Sequence, residues 1–307
     1  MTQTDEEVAV LLCTFNGGRF LSAQLKSLLQ QVNVSIRIHA SDDGSRDDTL
    51  KTLDDSGSPD VPLCLRHGPG NGATQNFLWL ICDSTISAGY FAYADQDDAW
   101  DADKLSRAIG QLAACDNRLP ALYCARTRSV SETGKVIGLS PVFCRSPSFA
   151  NALVHNIGGG NTMVMNQAAR ELLVMAGRVD VPAHDWWTYL LISGAGGKVI
   201  YDPEPCLSYR QHANNQIGAN TGFRRRIARY RDAFGGRNRL WNERNITALE
   251  KNIELLTPES RKILKVFRES RSGCLLQRLS GVKDAGLYAQ TFSGNLGLFF
   301  ASLLKKI

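Results

Sequence analysis

The chain has 307 residues, 43% hydrophobic and 21% charged, enough apolar material for a large buried core and too much for a disordered tail protein. Its formal charge of +5 is unevenly spread: residues 223–307 hold 18 Lys and Arg against seven Asp and Glu, leaving −6 up to residue 222 and +11 beyond it. Eight cysteines, at 13, 64, 82, 115, 124, 144, 206 and 274, form no C-x-x-C pair, which points to reduced thiols of a cytosolic protein and away from zinc or a disulfide framework.

Residues 1–7 are polar and acidic where a signal peptide would be basic and then apolar, and no apolar run has the length of a membrane span, so a soluble body is expected. Val8 to Leu12 reads as a buried strand that empties into the turn Thr14-Phe15-Asn16-Gly17-Gly18. Phe20, Leu21, Leu25, Leu28 and Leu29 recur at helical spacing, and Ser35 to Ala40 is the next strand, ending in Ser41-Asp42-Asp43-Gly44-Ser45. A helix over 47–53, a strand over 61–65, a glycine-rich loop over 68–72 and a helix around 77–81 follow.

Tyr90 to Ala94 then forms an uncharged apolar run that meets three carboxylates, Asp95, Asp97 and Asp98, before a helix near Asp101. Carboxylates this close repel each other, and a hard divalent cation with oxygen ligands, Mg2+ or Mn2+, is the natural counter-charge. Such an ion keeps waters and shares itself with phosphates, so a diphosphate is the expected second half of the site. The alternation of strand and helix predicts a mostly parallel sheet with right-handed crossovers, whose ligands bind beyond the carboxyl ends of the strands. Neither G-x-G-x-x-G nor a P-loop is present.

Downstream, Leu122 to Val130 is a further strand and Ser131 to Gly134 a turn; Gly158-Gly159-Gly160-Asn161-Thr162 precedes the apolar Met163 to Met165. Three glycines there let the backbone approach a ligand closely or simply make a tight turn. Pro182 should end one segment so that a helix starts near His184, with its positive end favouring ionised Asp185. From Phe223 onward, basic and apolar residues alternate at helical spacing through Leu304, followed by Lys305 and Lys306, as in helices that lie on an anionic membrane or in a packed helical bundle with a solvated face. No nucleic-acid reader motif accompanies that charge.

Five motifs in this order resemble the family 2 glycosyltransferases of the GT-A fold, in particular their bacterial rhamnosyltransferase-like branch. They are Thr14-Phe15-Asn16-Gly17, Asp42-Asp43-Gly44-Ser45, Asp95-Gln96-Asp97-Asp98, His184-Asp185-Trp186-Trp187 and Tyr209-Arg210-Gln211-His212. Gly70 stands where the family pattern has Asn, and the Q-x-x-R-W signature of processive synthases is missing. The resemblance implies an α/β GT-A domain over 1–222, a Rossmann-like, mostly parallel mixed sheet flanked by helices, and a basic amphipathic helical region over 223–307.

It further implies an inverting, metal-dependent transferase that moves L-rhamnose from a dTDP donor to a lipid-linked polysaccharide intermediate, peripheral at the inner face of the cytoplasmic membrane. A UDP-hexose or UDP-N-acetylhexosamine donor is the alternative, and a nucleotidyltransferase or an inactive nucleotide-sugar-binding module lies further off. The implied donor pocket is Thr14, Phe15, Asn16, Asp42, Asp43, Asn76, Asp95 and Gln96. Asp97 and His212 would hold the metal, Arg210 the diphosphate, and Asp185 would be the general base. Gly159, Gly160, Asn161, Thr162, Trp186 and Trp187 would border the sugar and acceptor.

Overall fold

A computed structural model describes residues 7–56, 58, 61–212 and 237–307. The 222/223 boundary and the arginines at 224, 225, 226, 229 and 231 lie outside the described residues. Strand β1 (Glu7–Thr14) is almost wholly buried and packs on both faces: Ala9, Leu11 and Cys13 join one core cluster and Val8, Val10 and Leu12 the other. A strand covered on both faces reads as a continuous apolar run, which is why it was visible in the sequence.

Helix α1 (Gly18–Leu29) leads to β2 (Ser35–Asp42), α2 (Thr49–Asp54) to β3 (Leu63–His67), and α3 (Ala73–Ile81) to β4 (Tyr90–Asp95). These four strands run parallel in the order β3-β2-β1-β4. The two-residue strand β5 (Ala99–Trp100) and α4 (Lys104–Leu112) come next, then β6 (Ala121–Val130) and β7 (Val136–Leu139). After α5 (Phe149–Ala152) and β8 (Val164–Asn166) come α6 (Gln167–Ala176), α7 (His184–Gly194) and the long β9 (Lys198–Arg210). The sheet continues β4-β8-β6-β9-β5, with β7 on β6. It is mixed, because β8 is antiparallel to both β4 and β6, and β5 is antiparallel to β9.

The helix expected near Asp101 starts at Lys104, since Ala99 and Trp100 are drawn into register with Ser208 and Leu207 of β9. Tyr123 and Arg107 both donate to Asp202, at 2.7 and 2.6 Å, fastening β9 to β6 and α4.

The helical C-terminal region is made of α8 (Arg237–Lys251), α9 (Pro258–Ser272), α10 (Leu275–Asp284) and α11 (Phe292–Leu303). Thr257 caps α9 by accepting from the Ser260 N–H, ahead of a proline in the first turn, and Thr291 caps α11 through Gly294. These helices share the core of the sheet: Ile246, Leu249, Leu264, Phe267 and Leu287 belong to the same apolar cluster as Leu11, Phe77 and Trp187. Among the described residues no helix is long and apolar enough to cross a membrane.

Candidate active site

Parallel register sets the site. Thr14 lies opposite Asp42, and Cys13 opposite Asp95, so the ends of β2, β1 and β4 form one edge. At that edge the first loop is gripped from two sides. The Gln96 side chain accepts from the Phe15 N–H at 2.8 Å and donates to the Phe15 carbonyl at 3.0 Å. Asn16, at φ 48°, is held by Ser45 Oγ and itself accepts from the Arg46 N–H. A Cβ on Gly17 would sit 2.1 Å from Gln96 Oε1, so a side chain there would have to displace the Gln96 amide from Phe15. Phe15 is left 54% exposed at the rim, open to a ligand.

Several expected donor contacts are corrected by this geometry. Asp42 is buried, and its two oxygens accept from Thr14 Oγ1, Ser45 Oγ and the N–H groups of Gly44 and Ser45. Its carboxylate, with Thr14, builds the turn instead of facing the donor. Asn76 is likewise buried and spends its amide on the hydroxyl and carbonyl of Ser41. Asp43 remains at the rim, where its oxygens accept from the Gly70 and Gly72 N–H groups at 2.7 Å each. Asp43 therefore holds the glycine loop against the edge even though Gly70 replaces the expected Asn. Gln96 acts as a clamp on Phe15, not as an open ligand.

The acidic cluster is deeper. Asp98 is fully buried, accepting from the Asn161 amide and, at 3.3 Å, from the Arg210 backbone N–H. Burial, then the charges of Asp97 and Asp95, push its pKa well up. Burial also raises Asp95, to about 7, with Asp97 and Asp185 adding repulsion. Below them lies a residue that the sequence reading missed. Lys104 is fully buried, its Nζ is 2.9 Å from the centroid of the Trp100 ring, and burial lowers its pKa to about 7 against the pull of Cys206, Asp98 and Asp95. No local pattern pointed to it, because Trp100 lies in β5 and the helix begins only at Lys104.

Asp97 faces the rim, with Oδ2 2.7 Å from His212 Nε2. His212 and the Arg210 guanidinium both lie against the ring of Phe20, at 5.0 Å each. Arg210 also donates to the carbonyls of Asp97 and Glu132, and Glu132 pairs with Arg19 at 2.7 Å, closing the β6–β7 turn over the site. In the sequence Phe20 read only as an apolar helix position and Glu132 only as part of a turn, so neither was placed at the site.

Among the described residues no group of three His, Cys, Asp or Glu side chains is set to hold an ion. Asp97 and His212 offer one oxygen and one nitrogen donor about as far apart as neighbouring ligands of a single ion. Two protein donors fit a Mg2+ or Mn2+ that keeps waters and takes phosphate oxygens.

Asp185 stands in the first turn of α7, where the sequence placed it. Its oxygens accept from Trp186 N at 2.6 Å and Gly160 N at 3.1 Å. The helix end was expected to favour the ionised form, yet burial outweighs those bonds and pushes its pKa up to about 6. The glycine loop serves this wall. A Cβ on Gly160 would lie 2.4 Å from His184 Nε2, in a ring stacked 4.0 Å from Phe77 and edge-on to Tyr93. Gly159 is exposed, Thr162 is buried and donates to the Gly159 carbonyl, and Asn161 is spent on Asp98. The Trp pair is corrected as well. Trp187 is fully buried in the core, and Trp186 donates to the Ala152 carbonyl at 2.6 Å, so neither ring is open to a sugar face.

With this geometry in view, residues 9–143 match the family model described as Glycosyl transferase family 2. The chain is 28% identical over 254 residues, 78% of its length and 83% of the relative's, to the dTDP-rhamnosyl transferase RfbG of Shigella flexneri. The chain is a glycosyltransferase that carries a family 2 domain over residues 9–143. An uncharacterized glycosyltransferase of Haemophilus influenzae is 26% identical to this glycosyltransferase over 222 residues, 67% of its length and 66% of the relative's.

Solved structures agree on the GT-A fold. The mannosyltransferase PcManGT from Pyrobaculum calidifontis, in complex with GDP-Man and Mn2+, superposes with a TM-score of 0.56 at 16% identity, covering 97% of this glycosyltransferase and 85% of that chain. S. aureus TarS 1-349 with UDP-GlcNAc gives 0.55 at 14% identity, covering 97% and 90%.

Proposed function

We propose that this glycosyltransferase is inverting and metal-dependent, and that it transfers L-rhamnose from a dTDP donor to a lipid-linked polysaccharide intermediate at the inner face of the cytoplasmic membrane. The observation that carries the reaction type is Asp185: a buried carboxylate, pKa about 6, fixed by two N–H groups and close enough to Asp95 for the two charges to repel. Such a group is half-ionised near pH 6 and largely ionised at neutral pH, where it is suited to taking a proton. The sugar rests on likeness to the Shigella flexneri dTDP-rhamnosyl transferase.

In this reading Phe15, Asp43 and Asp95 contact the base and ribose, with Thr14, Asn16, Asp42, Asn76 and Gln96 keeping that edge in shape. Asp97 and His212 would hold the Mg2+ or Mn2+, which when bound offsets charge on the diphosphate leaving group. Arg210 lies beside them for the diphosphate. The acceptor hydroxyl oxygen attacks the anomeric carbon, the bond from that carbon to the diphosphate oxygen breaks, and the hydroxyl proton passes to Asp185. Gly159 and Gly160 border the sugar, with Asn161, Thr162, Trp186 and Trp187 as the structure behind them.

The test is a screen of dTDP-rhamnose against UDP-glucose, UDP-N-acetylglucosamine and GDP-mannose, with Mg2+ or Mn2+. Release of dTDP in preference to UDP or GDP supports the reading. Release of UDP from a UDP-sugar in preference to the others replaces the donor, and release of inorganic pyrophosphate would identify a nucleotidyltransferase.

A further inference from the structure

The last helix is unusual for a packed one. α11 has no charged residue along its 12 positions, and Phe292, Leu296, Phe299 and Phe300 are 85%, 48%, 47% and 43% exposed. Their i, i+4, i+7, i+8 spacing gathers them into one outward ridge. The inner side of the same helix is firmly docked: Asn295 holds the backbone of Ala289 through both amide atoms, and the Ser302 carbonyl accepts from buried Arg278 at 2.8 Å. The exposure therefore belongs to a seated helix.

Beside the ridge, Leu279, Val282, Leu287, Leu298 and Phe299 line an open groove of about 160 Å³ between α10 and α11.

The charge around this face is also sorted. Arg244, Arg261, Arg268 and Arg271 are paired with Asp180, Glu254, Glu250 and Glu243, so arginines expected from the sequence to meet headgroups are committed within the protein. Lys283 at the end of α10, and Lys305 and Lys306 just after α11, make no ion pair with a described residue.

We propose that the ridge of α11 is the surface by which the enzyme lies on an anionic lipid bilayer, with the groove taking a length of acyl chain. This rests on the reading of a lipid-linked acceptor. An uncharged aromatic ridge followed by Lys305 and Lys306, which have no ion pair among the described residues, has the two chemistries of a membrane interface, apolar insertion and phosphate contact. Insertion of the ridge, more than net positive charge, carries the attachment.

Deleting 286–307 is an unsuitable probe. Leu287, Ala289 and Gln290 are buried, and Tyr288 bonds to Ser148, so the deletion would cut into the core. Point variants on the outer face avoid this. Phe292→Ser with Phe300→Ser should weaken sedimentation with phosphatidylethanolamine/phosphatidylglycerol vesicles by about 10-fold or more for each ring removed. Lys305→Gln with Lys306→Gln should weaken it by about 5-fold for each lysine, and only while the vesicles are anionic.

Donor hydrolysis should be unchanged in both variants, showing that the fold is intact. The proposal is overturned if the unmutated protein ignores these vesicles or if the Phe variants bind as well as it does. It is equally overturned if sedimentation velocity shows a dimer that the Phe variants dissociate, which makes the ridge a contact between copies. Vesicle binding without donor hydrolysis would refute the catalytic reading and leave this surface standing.

Discussion

Replacing Asp185 by Asn separates the base from the scaffold, and the structure supplies the magnitudes. Burial lifts this carboxyl from 3.8 to about 6, so its ionisation costs the folded state on the order of 3 kcal/mol. Because the folded value lies above the unfolded one, that cost is absent below about pH 4 and complete above about pH 6, and the unmutated protein loses stability as pH rises through this window. Asn removes the cost but keeps one acceptor oxygen where two N–H groups, from Trp186 and Gly160, now donate. An unsatisfied buried donor costs about 1–3 kcal/mol, so the two effects nearly cancel at neutral pH.

The variant should thus melt within a few degrees of the parent while kcat falls about 10²- to 10⁴-fold with donor affinity kept. In the parent, kcat/KM should follow an acid limb near pH 6, leaving roughly a tenth of the plateau at pH 5. Nucleoside diphosphate release over pH 4.5 to 8, with calorimetric melting of both proteins, measures all three quantities. Activity within a few-fold of the parent would refute the base, and so would an acid limb near pH 4. Equal loss of donor binding would make Asp185 structural.

Asp97→Asn should remove most turnover, as should EDTA acting on the parent; full activity in EDTA would rule out the metal role. Trp187→Phe should lower stability through a core void, at about 1–3 kcal/mol by denaturant titration, and leave KM for donor and acceptor unchanged, since the ring is fully buried. A raised acceptor KM with normal stability would put the ring back in the sugar pocket. Gly160→Ala should cost about 1–3 kcal/mol or more, because the new methyl meets the stacked His184 ring, and His184→Ala in the same chain should recover part of the loss.

Much of the fold was legible because its parallel strands are buried on both faces and end abruptly in polar turns, so β1, β2 and β4 announced both their span and their exits. What stayed hidden depends on side-chain direction and distant pairing. Adjacent Asp42 and Asp43 look alike in the sequence, yet one is swallowed by its own turn and the other faces the rim. β5 exists only because residues more than 100 positions later come alongside it. Trp186 and Trp187 were expected beside the sugar, and only packing shows that their rings belong to the core. Lys104 reads as a surface residue of an amphipathic helix, since nothing local reports the Trp100 ring beneath its amine.

The grip of Gln96 on Phe15 also constrains how this protein can change. The same amide oxygen that accepts from Phe15 occupies the space where a side chain at position 17 would begin, so two residues 79 positions apart share one small volume. A lineage acquiring alanine at 17 would have to shorten or redirect residue 96 in the same step, and would then surrender the tie between the first and fourth strand exits. Covariation of these two positions is therefore the mark that this interlock should leave in related sequences, and a functional Gly17→Ala chain retaining Gln96 would show that the edge tolerates being unlatched.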